Sequence, residues 1–405
     1  MSKRFIATLL TLLVIIAGAG LAIMLAKGYT FSSTQKQLVG TGIIAVSSTP
    51  DGALVYLDGH LINATDTTLS QLTPKKYTVK ISKDGYIPWE KEVEVKAGLA
   101  TEIKATLFPA LPTIYPLTYN GVVSAVLSPD GQKLAFSVPL DKDSQLQQKG
   151  GIWVWSLVSQ PISFARGAQP RQILTSASGL DFSQASLRWS PDSKQLLVSL
   201  PESSPGAGDE HNYLLAPDQA TDLSNLRDIT PSLNATLQSW ADDQKQKDAA
   251  LISTIRDAAI QNTASSSANI RWSPDETKFI DGIAVNEQST SIGSGPTPTP
   301  AKTTITPTPQ LLQGVKVYDL ETSKSFELPP ALDYIWLPDS LHIILVEPGK
   351  VSICEYDGSN VAVIFGSQFA ENAVFPWPDS SRLVILTSFS TPTASVPNLF
   401  GINLK

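Results

Sequence analysis

The stretch Leu127-Ser128-Pro129-Asp130-Gly131 organises the chain, because four later stretches repeat it in varied form. The repeats are Trp189-Ser190-Pro191-Asp192-Ser193, Trp272-Ser273-Pro274-Asp275-Glu276, Trp336-Leu337-Pro338-Asp339-Ser340 and Trp377-Pro378-Asp379-Ser380. A type I turn favours serine or aspartate at its first position, proline at its second and glycine at its fourth. An apolar run follows each copy within a few residues. Each copy therefore predicts one strand, a tight turn and a second strand.

The repetition indicates an array in which each unit buries its apolar face against the next unit. The aromatic residue before a turn is expected to pack between neighbouring units. The phrase resembles the repeat of TolB-like β-propellers. A single Ser-Pro-Asp is common turn chemistry, but five variants in similar frames favour this family. Counting one blade for each turn gives five blades, and because members of the family commonly have six, a degenerate sixth blade stays open.

The proline and aspartate of each turn are assigned a structural role, since the turn uses its aspartate to satisfy backbone amides. These residues are Pro129, Asp130, Pro191, Asp192, Pro274, Asp275, Pro338, Asp339, Pro378 and Asp379. The aspartates are for that reason poor candidates for catalysis.

The last repeat unit, residues 373–405, has too few strands to complete a blade alone. Residues 114–117 are strand-like and precede the first repeat. A ring of blades is stable only if its first and last units are joined. We therefore expect residues 114–117 to pair beside the strand at residues 399–404.

Residues 5–26 carry no charged side chain and match the roughly 20 apolar residues that span a bilayer, whereas a cleavable signal has about 7 to 15. The segment predicts a retained single-pass transmembrane anchor. Lys3 and Arg4 precede it and Lys27 follows it, so the positive-inside rule places the amino terminus in the cytoplasm and the bulk of the chain outside. The alternative is cleavage near Ala26.

Residues 42–109 contain short runs rich in β-branched and aromatic residues, divided by Gly, Pro and Asp, which predicts a small β-sandwich. The segment resembles the PEGA domain. Pro50-Asp51-Gly52-Ala53 stands where that family has Pro-Glu-Gly-Ala, and Val55-Tyr56-Leu57-Asp58-Gly59 follows. It departs from the family at Asp51 and at Lys75-Lys76, where a glycine commonly precedes the tyrosine. The resemblance implies a non-catalytic module of prokaryotic surface and envelope proteins.

Two insertions interrupt the repeat. Residues 286–309 are rich in Ser, Thr and Pro and predict a disordered loop, because they bury too little apolar area to offset their ordering entropy. Residues 231–262 predict one or two amphipathic helices. Their apolar stripe consists of Leu233, Leu237, Trp240, Leu251, Ile255 and Ala259. The stripe either packs on the helices or the propeller rim, which buries Trp240, or forms a partner-binding face, which leaves Trp240 accessible.

The chain offers little reactive chemistry. Its formal net charge of −7 argues against nucleic acid as the main partner. His60, His211 and His342 are far apart in sequence, and no pair has the spacing of a helical zinc site. The only cysteine, Cys354, lies in an apolar alternating segment and is expected to be a buried hydrophobe. We expect no catalytic residue, no cofactor and no metal.

Two classes of function remain. The first is a non-enzymatic, membrane-anchored extracytoplasmic binding or scaffold protein, with an envelope protein or glycan as partner and the PEGA-like domain as a stalk. The alternative is an envelope enzyme with carboxylates converging in the propeller channel. The predicted fold is mainly β. Its predicted parts are the cytoplasmic tail and anchor (1–27), the spacer (28–41), the PEGA-like sandwich (42–109) and the five-bladed or six-bladed propeller with its helical insertion (110–405).

Overall fold

The computed structural model describes residues 3–26, 29–32, 37–140, 150–157, 169–176, 180–201, 211–282, 311–389 and 396–405. The predicted Ser, Thr and Pro-rich loop at residues 286–309 lies outside them. The chain divides into two compact units, Met1–Leu111 with Lys405 and Pro112–Leu404. Most of the secondary structure in both units is β-strand, so the predicted mainly β class is confirmed.

The first unit begins with helix α1, Lys3–Ala26. Among the residues that the structure describes, no helix combines the length and the apolar composition that crossing a membrane requires. The predicted transmembrane anchor over residues 5–26 is therefore not supported. The segment predicted as a spacer contains two short antiparallel strands, β1 (Tyr29–Ser32) and β2 (Gln37–Gly40).

Two sheets form the rest of the first unit. Their strands are β3 (Gly42–Thr49), β4 (Leu54–Leu57), β5 (His60–Ala64), β6 (Thr67–Leu72), β7 (Lys76–Ser82), β8 (Trp89–Glu94) and β9 (Ala100–Thr106). One sheet has the order β6-β3-β9 and the other β5-β4-β7-β8. Strands β3 and β9 run parallel, and the remaining pairs are antiparallel.

Strands β3, β7 and β9 of this unit alternate between buried and more exposed residues. In β7, Val79 and Ile81 are fully buried while Thr78 and Lys80 are exposed. A period of two is that of a strand with one face in the core. The buried faces of both sheets contribute to one apolar cluster, with Ile44 from one sheet and Val55 and Trp89 from the other. The two sheets thus enclose a common core, as a β-sandwich does.

The described residues of the second unit form five antiparallel sheets, here called sheets I to V. Sheet I consists of β11 (Ala125–Leu127), β12 (Lys133–Val138), β13 (Gly151–Ser156) and β14 (Arg171–Thr175). Sheet II consists of β15 (Ser186–Trp189), β16 (Leu196–Leu200) and β17 (His211–Leu215). Sheet III consists of β18 (Arg271–Trp272), β19 (Lys278–Asp281), β20 (Lys316–Asp319) and β21 (Lys324–Glu327). Sheet IV consists of β22 (Asp333–Trp336), β23 (His342–Glu347), β24 (Lys350–Glu355) and β25 (Ala362–Gly366).

Sheet V joins the beginning of the second unit to its end. Its order is β10 (Ile114–Pro116), β28 (Asn398–Asn403), β27 (Arg382–Thr387) and β26 (Val374–Pro376). Ile114 lies opposite Ile402, which confirms the predicted pairing of residues 114–117 with the last strand. The Asn398 side-chain oxygen also accepts hydrogen bonds from the Thr118 hydroxyl at 3.1 Å and the Gly121 amide at 3.0 Å.

Neighbouring sheets share apolar side chains. Sheets I and II share a cluster that includes Ala135, Ile152, Leu187 and Leu196. Sheets III and IV share one that includes Ile280, Val317, Tyr334 and Ile343. Sheets V and I share one that includes Phe375, Val384, Leu134 and Phe136. Sheet IV meets the segment that follows β27 of sheet V, where the ring centroids of Phe365 and Phe389 lie 6.4 Å apart.

Helices lie between sheets II and III, where the sequence predicts an insertion at 231–262. Helix α2 is Leu233–Ser253 and helix α3 is Ala258–Ser266. Asp257 caps α3, because its side chain accepts hydrogen bonds from the amides of Ala259 and Ile260. Short 3₁₀ helices at Phe182–Gln184, Leu223–Asn225 and Thr230–Ser232 complete the helices of the described residues.

Candidate functional site

The turn of sheet I shows what the repeated sequence does. The Ser128 hydroxyl donates to Asp130 Oδ1 at 2.5 Å, and the same carboxylate oxygen accepts the Gln132 amide at 3.0 Å. The Ser128 hydroxyl in turn accepts the Lys133 amide at 2.9 Å. Gly131, at the fourth position, has a φ of +68°, which glycine adopts without strain. The serine and aspartate side chains together accept hydrogen bonds from the backbone amides of Gln132 and Lys133.

Sheets II and III repeat this arrangement. Ser190 donates to Asp192 at 2.6 Å, and Asp192 accepts the Lys194 amide at 3.1 Å. In sheet III, Ser273 donates to Asp275 at 2.6 Å. The hydrogen bond from Ser190 holds the pKa of Asp192 below its usual value. Burial works against ionisation of Asp275, but the hydrogen bonds that it accepts outweigh burial and also lower its pKa.

Sheets IV and V lack the serine but keep the role of the aspartate. Asp339 Oδ1 accepts the amides of Leu341 at 2.9 Å and His342 at 3.0 Å, and its other oxygen lies 2.8 Å from His342 Nδ1. Asp379 accepts the Ser381 amide at 2.8 Å. In all five turns the aspartate therefore binds backbone amides.

The turns also connect neighbouring sheets. The Asp130 amide donates to the Ser193 hydroxyl at 3.1 Å. The indole Nε1–H of Trp189 donates to the carbonyl of Val126, also at 3.1 Å. Both bonds cross from sheet II to sheet I. The aromatic residue before the turn thus packs between units, as the sequence predicts.

The boundary between sheets III and IV has the same pair of bonds. The Asp275 amide donates to the Ser340 hydroxyl at 3.0 Å, and Trp336 Nε1–H donates to the Arg271 carbonyl at 3.0 Å. An ion pair adds to them, since Arg271 Nη1 lies 2.6 Å from Asp333 Oδ1. The repeat therefore encodes both the turn and the contact between adjacent sheets.

Of the five residues predicted to bind a partner, all but Leu251 belong to one of two interior clusters. Trp240 is 6% exposed and packs with Leu197 of sheet II, and Leu233 and Leu237 pack against the same cluster. Ile255 is buried in a separate cluster with α3 and sheet III, and Leu251 is half-buried. The burial of Trp240 favours packing on the sheets over an accessible docking face. Partner binding by this stripe stays a prediction.

Cys354 and His342 are buried, and both His211 and His342 lie beside an aspartate. Burial raises the pKa of the Cys354 thiol to about 12, so the reactive thiolate is disfavoured. His211 Nδ1 lies 2.9 Å from Asp228 Oδ2, and His342 is buried beside Asp339. Among the residues that the structure describes, no three His, Cys, Asp or Glu side chains are grouped closely enough to hold a metal.

Comparisons with known proteins identify the first unit. Residues 41–110 match the family model of the PEGA domain. This confirms the resemblance predicted for residues 42–109, and the PEGA domain is the sandwich of β3 to β9. No curated protein matches the chain.

Two TolB structures are among the solved structures that resemble the chain. "The structure of putative TolB from Agrobacterium tumefaciens" has 13% identity and a TM-score of 0.22, covering 67% of this chain and 76% of that one. TolB from Acinetobacter baumannii has 14% identity and a TM-score of 0.23, covering 82% of this chain and 61% of that one.

Proposed function

We propose that this protein is an extracytoplasmic binding or scaffold protein whose second unit is a five-sheet β-propeller. The propeller presents a fixed surface to an envelope protein or a glycan. The PEGA domain serves as its stalk. Neither role involves catalysis.

The use of the polar repeat residues carries this proposal. Each turn aspartate accepts backbone amides, and serine hydroxyls such as those of Ser193 and Ser340 accept an amide of the adjacent sheet. Such bonds hold neighbouring sheets at fixed positions. Within the turns, backbone amides occupy the five aspartate carboxylates, which are therefore poor candidates for the acid or base of a catalytic site. A rigid frame with its polar groups engaged internally suits recognition by its surface.

The first strands of sheets III and IV argue against an enzyme in the channel. Asp333, in the first strand of sheet IV, is paired with Arg271, in the first strand of sheet III. Arg271 Nη1 also donates to the Tyr334 carbonyl at 2.6 Å. Both charged side chains are about one third exposed, at 36% and 37%. The pair links two sheets, so its role in this proposal is structural.

The partner-facing part of the helical insertion is placed on the polar middle of α2. Residues 241–247 are exposed and include Asp242, Asp243 and Lys245. Four residues of the apolar stripe, Leu233, Leu237, Trp240 and Ile255, belong to the two interior clusters. A charged, solvated helix face can steer and orient a charged partner.

Affinity capture from native envelopes with the full chain tests this proposal. The wild type is compared with Asp242→Lys/Asp243→Lys and with Glu321→Lys, a control at an exposed residue in the turn between β20 and β21. We expect the wild type and the control to capture the same partner saturably and the double variant to lose most of it. Equal capture by all three proteins places the binding surface on the sheets instead. Absence of any saturable partner overturns the proposed function.

A further inference from the structure

We infer that α2 and α3 act as a strap that holds sheets II and III together, in place of the tryptophan–carbonyl hydrogen bond found at the I–II and III–IV boundaries. The strap comprises residues 233–266. This inference rests on the ring of sheets proposed above, but on none of its binding partners.

The repeated hydrogen bonds provide the first evidence. At the I–II and III–IV boundaries, the tryptophan before the turn donates to a carbonyl of the preceding sheet. Trp272 occupies the same repeat position in sheet III, yet its Nε1–H donates to Asp248 Oδ1 of α2 at 3.1 Å. On the other side, the turn of sheet II is bound through the Pro191 carbonyl, which accepts Lys247 Nζ at 2.9 Å. Adjacent residues of α2 thus reach both sheets.

Apolar packing divides in the same way. The first half of α2 packs on sheet II, where Trp240 contacts the cluster of Leu197 and Ile229. The end of the insertion packs on sheet III, where Ile260 and Ala264 join the cluster of Phe279. The strap therefore makes one apolar packing contact with each of the two sheets.

The middle of the strap is solvated. Residues 241–247 and 249–250 are exposed, and Asp248 is half-buried. A segment with few buried apolar contacts opens at a lower free energy than one in a shared core. The I–II and III–IV boundaries both contain shared apolar clusters. The II–III boundary is therefore expected to open before the I–II and III–IV boundaries, and the strap is the device that keeps it closed.

Distance measurements between spin labels on the full chain test the strap. One pair, Lys194→Cys with Glu321→Cys, spans sheets II and III, and a second pair, Lys194→Cys with Gln132→Cys, spans sheets I and II. All three positions are exposed, whereas the native Cys354 is buried. The test variant is Asp248→Ala with Lys247→Ala, and Lys245→Ala on the exposed face of α2 is its control.

If α2 and α3 act as a strap, the Asp248→Ala/Lys247→Ala variant should broaden the II–III distance distribution and leave the I–II distribution unchanged. The Lys245→Ala control should change neither distribution. An unchanged II–III distribution overturns the inference. So does equal broadening of both pairs, because that result shows general loosening.

Hydrogen exchange on the unmodified chain provides a second test that needs no variant. The amides of Arg271–Trp272 are expected to exchange at least about tenfold faster than those of Asp333–Trp336, since the strap boundary opens more often. Equal or slower exchange at Arg271–Trp272 overturns the inference. Either result is independent of whether the protein captures an envelope partner.

Discussion

The Ser193 hydroxyl accepts a hydrogen bond from the backbone amide of Asp130, 3.1 Å away, across the boundary between sheets I and II. Ser340 accepts the Asp275 amide in the same way between sheets III and IV, at 3.0 Å. The two serines have φ values of +60° and +59°. The serine at the fourth position of one turn thus binds the turn of the preceding sheet. The same short repeat therefore determines both the turn and the contact between neighbouring sheets.

Replacing Ser193 with alanine should destabilise the protein by about 1 kcal/mol, because the Asp130 amide loses its partly buried acceptor. Urea unfolding followed by tryptophan fluorescence measures this loss. Ser323→Ala is the control, since Ser323 also has a positive φ, of +53°, but is exposed. The contact matters little if both variants change the free energy of unfolding by less than about 0.5 kcal/mol.

Gly401→Ala should weaken the closure of sheet V. A Cβ at this position lies 2.7 Å from Cζ of Tyr115, so the ring must move. The Tyr115 hydroxyl then loses the hydrogen bond donated by Arg382 Nη1 at 2.9 Å. We expect a destabilisation of about 1–3 kcal/mol in thermal or urea unfolding.

Gly366→Ala is the matched control for this glycine. Gly366 lies in β25, its φ is not in the left-handed region, and a Cβ there meets no atom within 4 Å. Its stability should change little. A Gly401 variant as stable as this control contradicts the packing of Tyr115 on β28.

Asp228 should contribute to the acid sensitivity of the protein. Hydrogen bonds from Thr230 and His211 lower the pKa of Asp228 from 3.8 to about 2. A pKa lowered by folding stabilises the protein above pH about 4, and this contribution is lost as pH falls towards about 2. Asp228→Asn should flatten the fall in the free energy of unfolding across that window. Asp243→Asn, at an exposed position of α2, should leave the fall unchanged. An unaltered acid profile for Asp228→Asn shows that the hydrogen bonds are not maintained in solution.

An extracytoplasmic location predicts that protease added to intact spheroplasts digests both units. Antibodies against the PEGA domain and against residues 112–404 follow their loss. A cytoplasmic protein serves as the control and should survive until lysis. Full protection of both units before lysis excludes the proposed location.

The five turns could be predicted because their chemistry is local. Proline and aspartate act within a few residues of each other, and the apolar runs beside them report strands. Closure by residues 114–117 was predictable because the last unit lacked a strand. The sequence alone did not show which residue of the last turn corresponds to the serine of the other repeats. The Trp377 amide donates to the Arg382 carbonyl at 2.9 Å, as Ser128 does to Lys133, so Trp377 occupies the serine position.

The role of the helical insertion could not be read from periodicity. Periodicity shows which side chains share a helix face, but it does not show what covers them. Trp240 and Ile255 lie on one predicted stripe, yet the structure places them in separate clusters on sheets II and III. The bond between Trp272 and Asp248 joins residues whose pairing depends on the tertiary structure. No sequence pattern marks it.

Binding rather than catalysis is the central claim, and a time course with envelope fragments tests it most directly. A substoichiometric amount of the full chain is incubated with the fragments, and mass spectrometry follows free and modified fragments, with Asp333→Asn measured in parallel. The account predicts that fragments are depleted only up to the amount of protein present, without covalent change, and equally by both proteins. Covalent conversion of fragments in excess over the wild-type protein, lost in Asp333→Asn, would contradict it.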